Sequence, residues 1–209
     1  GMLWLVCNGE IYNFRELRRD LQQRGRRFRT DSDSEVVLHA YAEWGDDCVL
    51  RLNGMFAFAL WDARRRRMLV GRDRLGIKPV YLAQDARRIA FASEAKALLT
   101  LPGIGVAVDP HALDSYLQLG YVPAPQSMFA GIAKLPPATL LAIEDGKVAE
   151  RRYWQLPHAI DRKPTEAQWI EAVRARLETS TRMQMVSDVP IGAFLSGGVD
   201  SSAVVAFMS

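Results

Sequence analysis

The chain has 209 residues, too many for a peptide and too few for a large multidomain enzyme; at the usual ~100 to 200 residues per domain it holds one or two. With 49% hydrophobic and 24% charged residues and a formal net charge of +3, its composition is that of an ordinary folding chain and excludes wholesale disorder. Up to position 105 there are 18 basic against 13 acidic residues and beyond it 9 against 11, a mild asymmetry that does not make a nucleic-acid face.

Taken in chain order, Leu3 to Cys7 is a short apolar run with no basic region before it, so it reads as a strand and not as a secretory signal. Asn8-Gly9 is a strong two-residue turn signal, which predicts that this strand ends at a polar tip. Phe14, Leu17 and Leu21 keep helical spacing among charged neighbours, giving a surface helix. Asp31-Ser32-Asp33 caps a second helix over about 34–44, with Val36, Val37, Ala40 and Tyr41 inward and Gly45 as its stop. A short helical piece near 46–52 precedes Met55 to Trp61, a nearly continuous apolar run that predicts a strand covered on both faces.

Arg64 to Arg67 separates that run from Met68 to Gly71, and with no interleaved aromatic residues it reads as a solvated hairpin turn in preference to a phosphate patch. Val80 to Ala83 and Ile89 to Ala92 are further short strands, so an antiparallel meander is expected, followed by a helix over 94–99. Seven of the ten prolines fall in 106–164, which predicts an irregular connector carrying a helix near 110–119 and a hairpin near 140–153. Thr165 to Gln168 is a capping-box pattern that starts a long helix to about Met185, and Val189 to Leu195 reads as a buried strand. No apolar stretch approaches the ~20 residues of a membrane span, and two cysteines without metal-ligand spacing fit a reducing cytoplasm.

Ser196-Gly197-Gly198-Val199-Asp200-Ser201-Ser202 follows that predicted strand and precedes an apolar run able to start a helix. Two glycines, backbone N–H groups and hydroxyls converging at a helix start make an anion cradle, with phosphate as the expected guest. It lacks the lysine of the Walker loop, and Asp200 would repel phosphate unless it shares a divalent cation or serves as a cap. The heptad resembles the pyrophosphate loop of the N-type ATP pyrophosphatases, which activate a carboxylate as its adenylate.

Near the amino terminus, Asn8, Gly9 and Glu10 put an amide, a glycine N–H and a carboxylate side by side, the components of an oxyanion hole and of a grip on a substrate ammonium group. By themselves these residues read in preference as an ordinary Asn-Gly turn. Together with Ser32 to Glu35, Asn53 to Phe58, Gly71 to Tyr81 and Phe91 to Leu98, they resemble the class II glutamine amidotransferase domains. With the loop downstream, the whole resembles the glutamine-hydrolysing asparagine synthetase family.

The resemblance implies an α+β fold: an incomplete αββα sandwich of the N-terminal-nucleophile hydrolase type, followed by the first elements of an α/β ATP pyrophosphatase domain. It divides the chain into an amidotransferase part over 1–105, its remaining elements and connector over 106–164, and a synthase start over 165–209. Asn8 and Gly9 would form the oxyanion hole; Asn8, Gly9, Glu10 and Asp33 would bind glutamine, Asp33 on its α-ammonium; Leu195, Ser196, Gly197, Gly198, Asp200 and Ser201 would bind ATP. Arg72 and Lys78 would shape the fold and not the chemistry. ATP and Mg²⁺, with glutamine and aspartate as substrates, follow from the family, with a cytoplasmic setting, no nucleic-acid or membrane partner, and a homodimer left open.

Such enzymes use a cysteine as the first residue of the mature chain, activated by its own α-amino group. Here Gly1 stands first and Cys7 and Cys48 read as small buried hydrophobes, so the chain is expected to be a fragment without glutaminase activity. Weak or no nucleotide binding is expected of the loop by itself. Related amidotransferases or β-lactam-forming synthetases with another acceptor, and a catalytically inert truncated module, share these residues.

Overall fold

Strand β1 (Leu3–Ile11) opens the fold in the computed structural model, which describes residues 2–85, 88–157 and 164–208. Instead of turning at Asn8-Gly9, β1 runs straight through the dipeptide, because Asn8 and Gly9 are paired with Ala57 and Phe56 of β2 (Gly54–Asp62). The expected turn is thus overruled by a long antiparallel partner that supplies ladder bonds along the whole segment. Two compact units divide the chain, Gly1–Gln155 and Leu156–Ser209.

In the first unit, β2 pairs with β3 (Arg67–Arg72) across a turn at which Arg64, Arg65 and Arg66 are exposed, as expected. Arg67 leaves the turn, half-buried in β3, and pairs with Asp46 at 2.5 Å and Glu144 at 3.2 Å. The meander then breaks. After β3 the chain crosses to a second sheet, and the other neighbour of β3 is β7 (Thr139–Glu144), which continues into β8 (Lys147–Arg152). The first sheet has the order β1-β2-β3-β7-β8. Strands β4 (Tyr81–Gln84), β5 (Ile89–Ala92) and β6 (Ile132–Lys134) form the second, in the order β5-β4-β6. Apolar residues of β3 demand cover on both faces, which a single meander cannot provide.

Side-chain alternation sorts the layers. On one face of the first sheet, Ile11, Phe56, Phe58, Leu60, Leu69 and Leu140 pack with Leu17, Leu21, Val36, Val37 and Ala40 of α1 (Phe14–Gln23) and α2 (Asp33–Trp44). The opposite face brings Ala57, Val70 and Leu141 against Val80 and Leu135, with Leu82 and Phe91 of the second sheet beside them. Beyond the second sheet, Ala83 and Ile132 meet Leu98 of α4 (Ala95–Leu99). This is an αββα sandwich, and each fully buried Phe or Leu in it is worth roughly 1.5–3 kcal/mol of burial. On β1 the alternation leaves Trp4 and Val6 at 64% and 75% exposure on the face away from α2.

Local signals place the helices. Ser32 accepts from Ser34 N–H at the start of α2, and Gly45, at φ 59°, ends it by donating to the Tyr41 carbonyl. A 3-10 turn (Gly45–Asp47) and α3 (Cys48–Arg51) follow. The proline-rich stretch supplies α5 (Pro110–Leu119) and then β6, β7 and β8, so much of it is built into the two sheets.

In the second unit, α6 (Glu166–Gln184) carries the expected capping box: Thr165 N–H donates to Gln168 Oε1 at 2.8 Å, and Gln168 N–H donates back to the Thr165 hydroxyl. The last helix, α7, is Val199–Met208. Residues 189–195 are not a strand; Phe194 is fully exposed and Leu195 is 62% exposed. An apolar segment becomes a strand only when neighbours accept its backbone hydrogen bonds, and no strand of this unit is described to do so.

Candidate functional site

Four of the five sequence blocks singled out in the first half, Asn8 to Asn13, Ser32 to Glu35, Asn53 to Phe58 and the Asp73 part of Gly71 to Tyr81, come together at one end of the five-stranded sheet, whereas Phe91 to Leu98 goes to β5 and α4. Ile11 lies opposite Gly54 and Gly9 opposite Phe56. The two strands approach so closely there that a Cβ on Gly9, at φ 153°, would sit 2.1 Å from the Met55 carbonyl oxygen, and one on Gly54 would sit 2.1 Å from that of Glu10. Only glycine fits either position. Just past the strand end, Tyr12 N–H donates to the Asn53 carbonyl at 2.8 Å. Asn13 bridges the same junction: its Nδ2 donates to the Arg51 carbonyl at 2.9 Å, and its Oδ1 accepts from Asn53 N–H at 3.0 Å.

Asp33, the first residue of α2, reaches back to β1, its Oδ2 accepting from Ile11 N–H at 2.8 Å. Gly9 lies on the same face of β1 as Cys7 and Ile11, while Asn8 and Glu10 stand exposed on the other face. The structure therefore brings Asp33 to the backbone beside Gly9 and Glu10, with the side chains of Asn8 and Glu10 on the opposite side of the strand. The loop that carries Asp33 is held by Glu35, whose carboxylate accepts from Arg29 N–H at 2.8 Å and from both Thr30 N–H and the Thr30 hydroxyl at 2.7 Å. Burial by itself raises the Glu35 pKa, but the hydrogen bonds from Thr30, Arg29 and His39 outweigh it and pull the group down to about 2.

A second clip stands beside Gly54. Asp73 is 1% exposed, and its carboxylate accepts from four backbone N–H groups: Leu75 at 3.1 Å and Ile77 at 3.0 Å on Oδ1, Lys78 at 3.0 Å and Phe56 at 3.3 Å on Oδ2. The buried Arg72 guanidinium is spent wholly on carbonyls, those of Lys78 at 2.8 Å, Gly76 at 2.7 Å and Leu135 at 2.5 Å. Burial lowers its pKa. The Tyr153 hydroxyl donates to the Arg72 carbonyl at 2.7 Å, and burial raises that phenol's pKa. Arg72 and Asp73 act on the backbone of 72–78, in keeping with a shaping role.

Neither thiol is set up to ionise. Burial, then the Asp33 charge, pushes Cys7 up to about 11 despite a hydrogen bond with Ser34, and burial followed by Asp46 pushes Cys48 up to about 12. Cys48 is buried, and Cys7 packs half-buried against the helix-side core. What this end of the sheet offers is the Asn8 amide and the Glu10 carboxylate on one face of β1 and, at the backbone beside Gly9, the Asp33 carboxylate; an amide with a glycine N–H suits a developing oxyanion and a carboxylate an ammonium.

Far along the sequence, the loop at 196–201 is preformed. Gly197, at φ 80°, makes the turn; the Ser196 and Ser201 hydroxyls bond each other at 2.8 Å; and the Ser201 hydroxyl donates to the Gly198 carbonyl at 3.1 Å. The loop is exposed and leads into α7, with Asp200 in its first turn, so its backbone and hydroxyls stand at a helix start. Among the described residues no group of three or more His, Cys, Asp or Glu could hold a metal by itself.

Asn13, Glu35 and Asp73 are the residues whose part the sequence left unread. All three lie inside the quoted blocks, but what they do depends on backbone groups that only the fold brings near.

The family described as "Glutamine amidotransferase domain" matches residues 1–154, and that described as "Asparagine synthase" matches residues 172–209. "Asparagine synthetase [glutamine-hydrolyzing] 3" of Bacillus subtilis is 40% identical over 205 residues, 97% of this chain and 33% of the relative. "Putative asparagine synthetase [glutamine-hydrolyzing]" of Mycobacterium tuberculosis is 42% identical over 211 residues, 97% of this chain and 32% of the relative. The chain spans about one third of the length of these curated relatives. Among solved structures, the glutamine phosphoribosylpyrophosphate amidotransferase of B. subtilis, complexed with ADP and GMP, aligns with a TM-score of 0.51 over 98% of this chain and 43% of its own, at 18% identity, a likeness of fold alone.

Proposed function

The chain belongs, over residues 1–154, to the family of glutamine amidotransferase domains, and we propose that it is part of a glutamine-hydrolysing asparagine synthetase. In this reading residues 1–105 and the following elements through 164 handle the amide donor, and 165–209 begin the part that uses ATP. The observation that supports it most is the meeting of Asn8 to Asn13, Asp33, Asn53 to Phe58 and the Asp73 clip at one end of the sheet, with Asp33 bonded to the Ile11 backbone.

Asp33 holds the α-ammonium of glutamine, and Glu10 and Gly9 help seat it. The Asn8 amide and Gly9 N–H stabilise the oxyanion that forms when a thiolate attacks the amide carbon; ammonia leaves, and water releases glutamate from the thioester. Cys7 and Cys48 do not supply that thiolate. At the rear loop, Leu195, Ser196, Gly197, Gly198 and Ser201 cradle the phosphates of ATP. The aspartate carboxylate displaces pyrophosphate at the α-phosphorus, and ammonia then displaces AMP from the aspartyl-adenylate to give asparagine.

Mg²⁺ is commonly held by one or two carboxylates together with phosphate oxygens, and Asp200 beside two hydroxyls fits that donor set. When bound, it neutralises phosphate charge. The reading calls for no nucleic-acid or membrane partner. It places the enzyme in the cytoplasm, which suits two unpaired thiols, and leaves a homodimer open.

Glutamine titrated into ¹⁵N-labelled protein is expected to shift the amides of Gly9, Glu10 and Ser34, and Asp33→Ala is expected to remove those shifts. Shifts elsewhere only, or shifts that survive Asp33→Ala, overturn the assignment.

A further inference from the structure

At the end of the first sheet opposite the glycine pair, where Leu3 lies across from Asp62, there is a groove of about 750 Å³. Its floor is one face of α2, including Leu38, His39 and Ala42. One wall is the segment after α1 with Arg26, Arg27 and Arg29; the other is the β2–β3 turn with Arg64 and Arg65. The volume falls within the range of small-ligand sites.

Both walls are tied to the floor, and in tying them the carboxylates of the groove are used up. Glu43 takes Arg26 through Nε at 3.1 Å and Nη2 at 2.9 Å, while Arg26 Nη2 also donates to the Ala42 carbonyl at 2.9 Å. Glu35 is spent on Arg29 N–H, Thr30 and His39. Asp62 accepts from Arg64 N–H at 2.9 Å, Arg65 N–H at 3.2 Å and the Tyr41 hydroxyl at 3.2 Å. What is left over is cationic. The guanidinium groups of Arg27, Arg29, Arg64 and Arg65 make no hydrogen bond or ion pair with any described residue, Arg65 feeling only the field of Asp46. Four exposed guanidinium groups, two on each wall of one concavity, repel one another and present forked donors from both sides.

We infer that this groove binds a small anion carrying at least two phosphates, one met by each arginine pair. Arginine forks match phosphate oxygens two at a time, and walls already fixed to α2 spare the cost of ordering them on binding. A lone carboxylate offers a single anionic group to two arginine pairs, and the sites implied by the family lie at the opposite end of the sheet and in the second unit. The anion could be free pyrophosphate or the phosphate tail of a nucleotide.

The test is calorimetric titration of the whole chain with sodium pyrophosphate at low ionic strength, repeated with ATP, AMP and acetate. With the rear loop blocked by Ser196→Asp, one saturable site is expected for pyrophosphate and ATP, at least tenfold weaker for AMP, absent for acetate, and weakening as salt is raised. Arg27→Ala with Arg29→Ala, and separately Arg64→Ala with Arg65→Ala, should each weaken it by about tenfold or more, since each pair removes charge-assisted hydrogen bonds. Equal binding of pyrophosphate and ATP supports a free polyphosphate as the guest, and tighter binding of ATP supports a nucleotide. Ser196→Asp puts a negative charge in the rear loop, so binding that persists in that background belongs to the groove. No saturable binding, binding indifferent to both arginine pairs, or binding lost on Ser196→Asp overturns the inference.

Discussion

Replacing Asp73 by asparagine should cost the first unit about 3 kcal/mol or more, although the side chain keeps its shape. Each Asp73 oxygen accepts two backbone N–H bonds, from Leu75 and Ile77 on one side and from Phe56 and Lys78 on the other. Whichever way the introduced amide is turned, two of those N–H groups face an NH₂ that cannot accept from them. A hydrogen bond to a charged group contributes about 1.5–3 kcal/mol, and a buried donor left unpaired costs about 1–3 kcal/mol. With the residue 1% exposed, water does not replace the lost acceptor. For a unit of this size the loss corresponds to roughly 6–12 °C in melting temperature.

The assay is urea unfolding followed by the fluorescence of Trp4, Trp44, Trp61 and Trp154 in a Trp169→Phe background, so that the second unit is silent. The midpoint should fall with an unchanged slope. A variant within about 1 kcal/mol of the parent would refute the reasoning, because it would mean the four bonds contribute no more than a typical single one.

Two further outcomes follow from the ionisable groups. Glu35 has its pKa lowered from an ordinary 4.5 to about 2 in the folded chain, so its contribution to stability is complete above about pH 4.5 and is lost as the pH falls toward about 2. Glu35→Gln should therefore be less stable than the parent at neutral pH and lose less over that acid range; parallel pH profiles would count against it. Cys7 and Cys48, pushed up to about 11 and about 12, hold almost no thiolate at pH 8. Ellman's reagent should label native protein many-fold more slowly than free cysteine, and a thiol reacting at the free rate would show the packing to be wrong.

How much of this was legible in the sequence depended on the reach of each interaction. Ser32 with Gly45, and Thr165 with Gln168, marked helix ends because a cap satisfies backbone groups within four residues of itself. The nearly continuous apolar run of β2 announced two covered faces for the same reason of short range: a pleat turns successive side chains to opposite faces, so apolar residues in unbroken succession need cover on both. The motif blocks were visible as residue types at fixed spacing. Their convergence was not, since Asn13 meets Arg51 and Asn53 across some forty residues and Asp73 meets Phe56 across seventeen.

Composition and spacing by themselves determined the helix caps, the apolar strands of the first unit, the turn of the glycine-serine loop and the cationic turn, all features whose partners lie close in the chain. The tertiary structure decided the rest. It extended β1 through Asn8-Gly9 because β2 lies alongside, and it set β7 rather than β4 beside β3 because both faces of that strand needed cover. It left 189–195 without a strand's hydrogen bonds because no strand among the described residues of that unit accepts them, and it turned two separate arginine clusters into the walls of one groove. Backbone pairing and charge proximity are satisfied in space, and space is assigned only when the whole unit has closed.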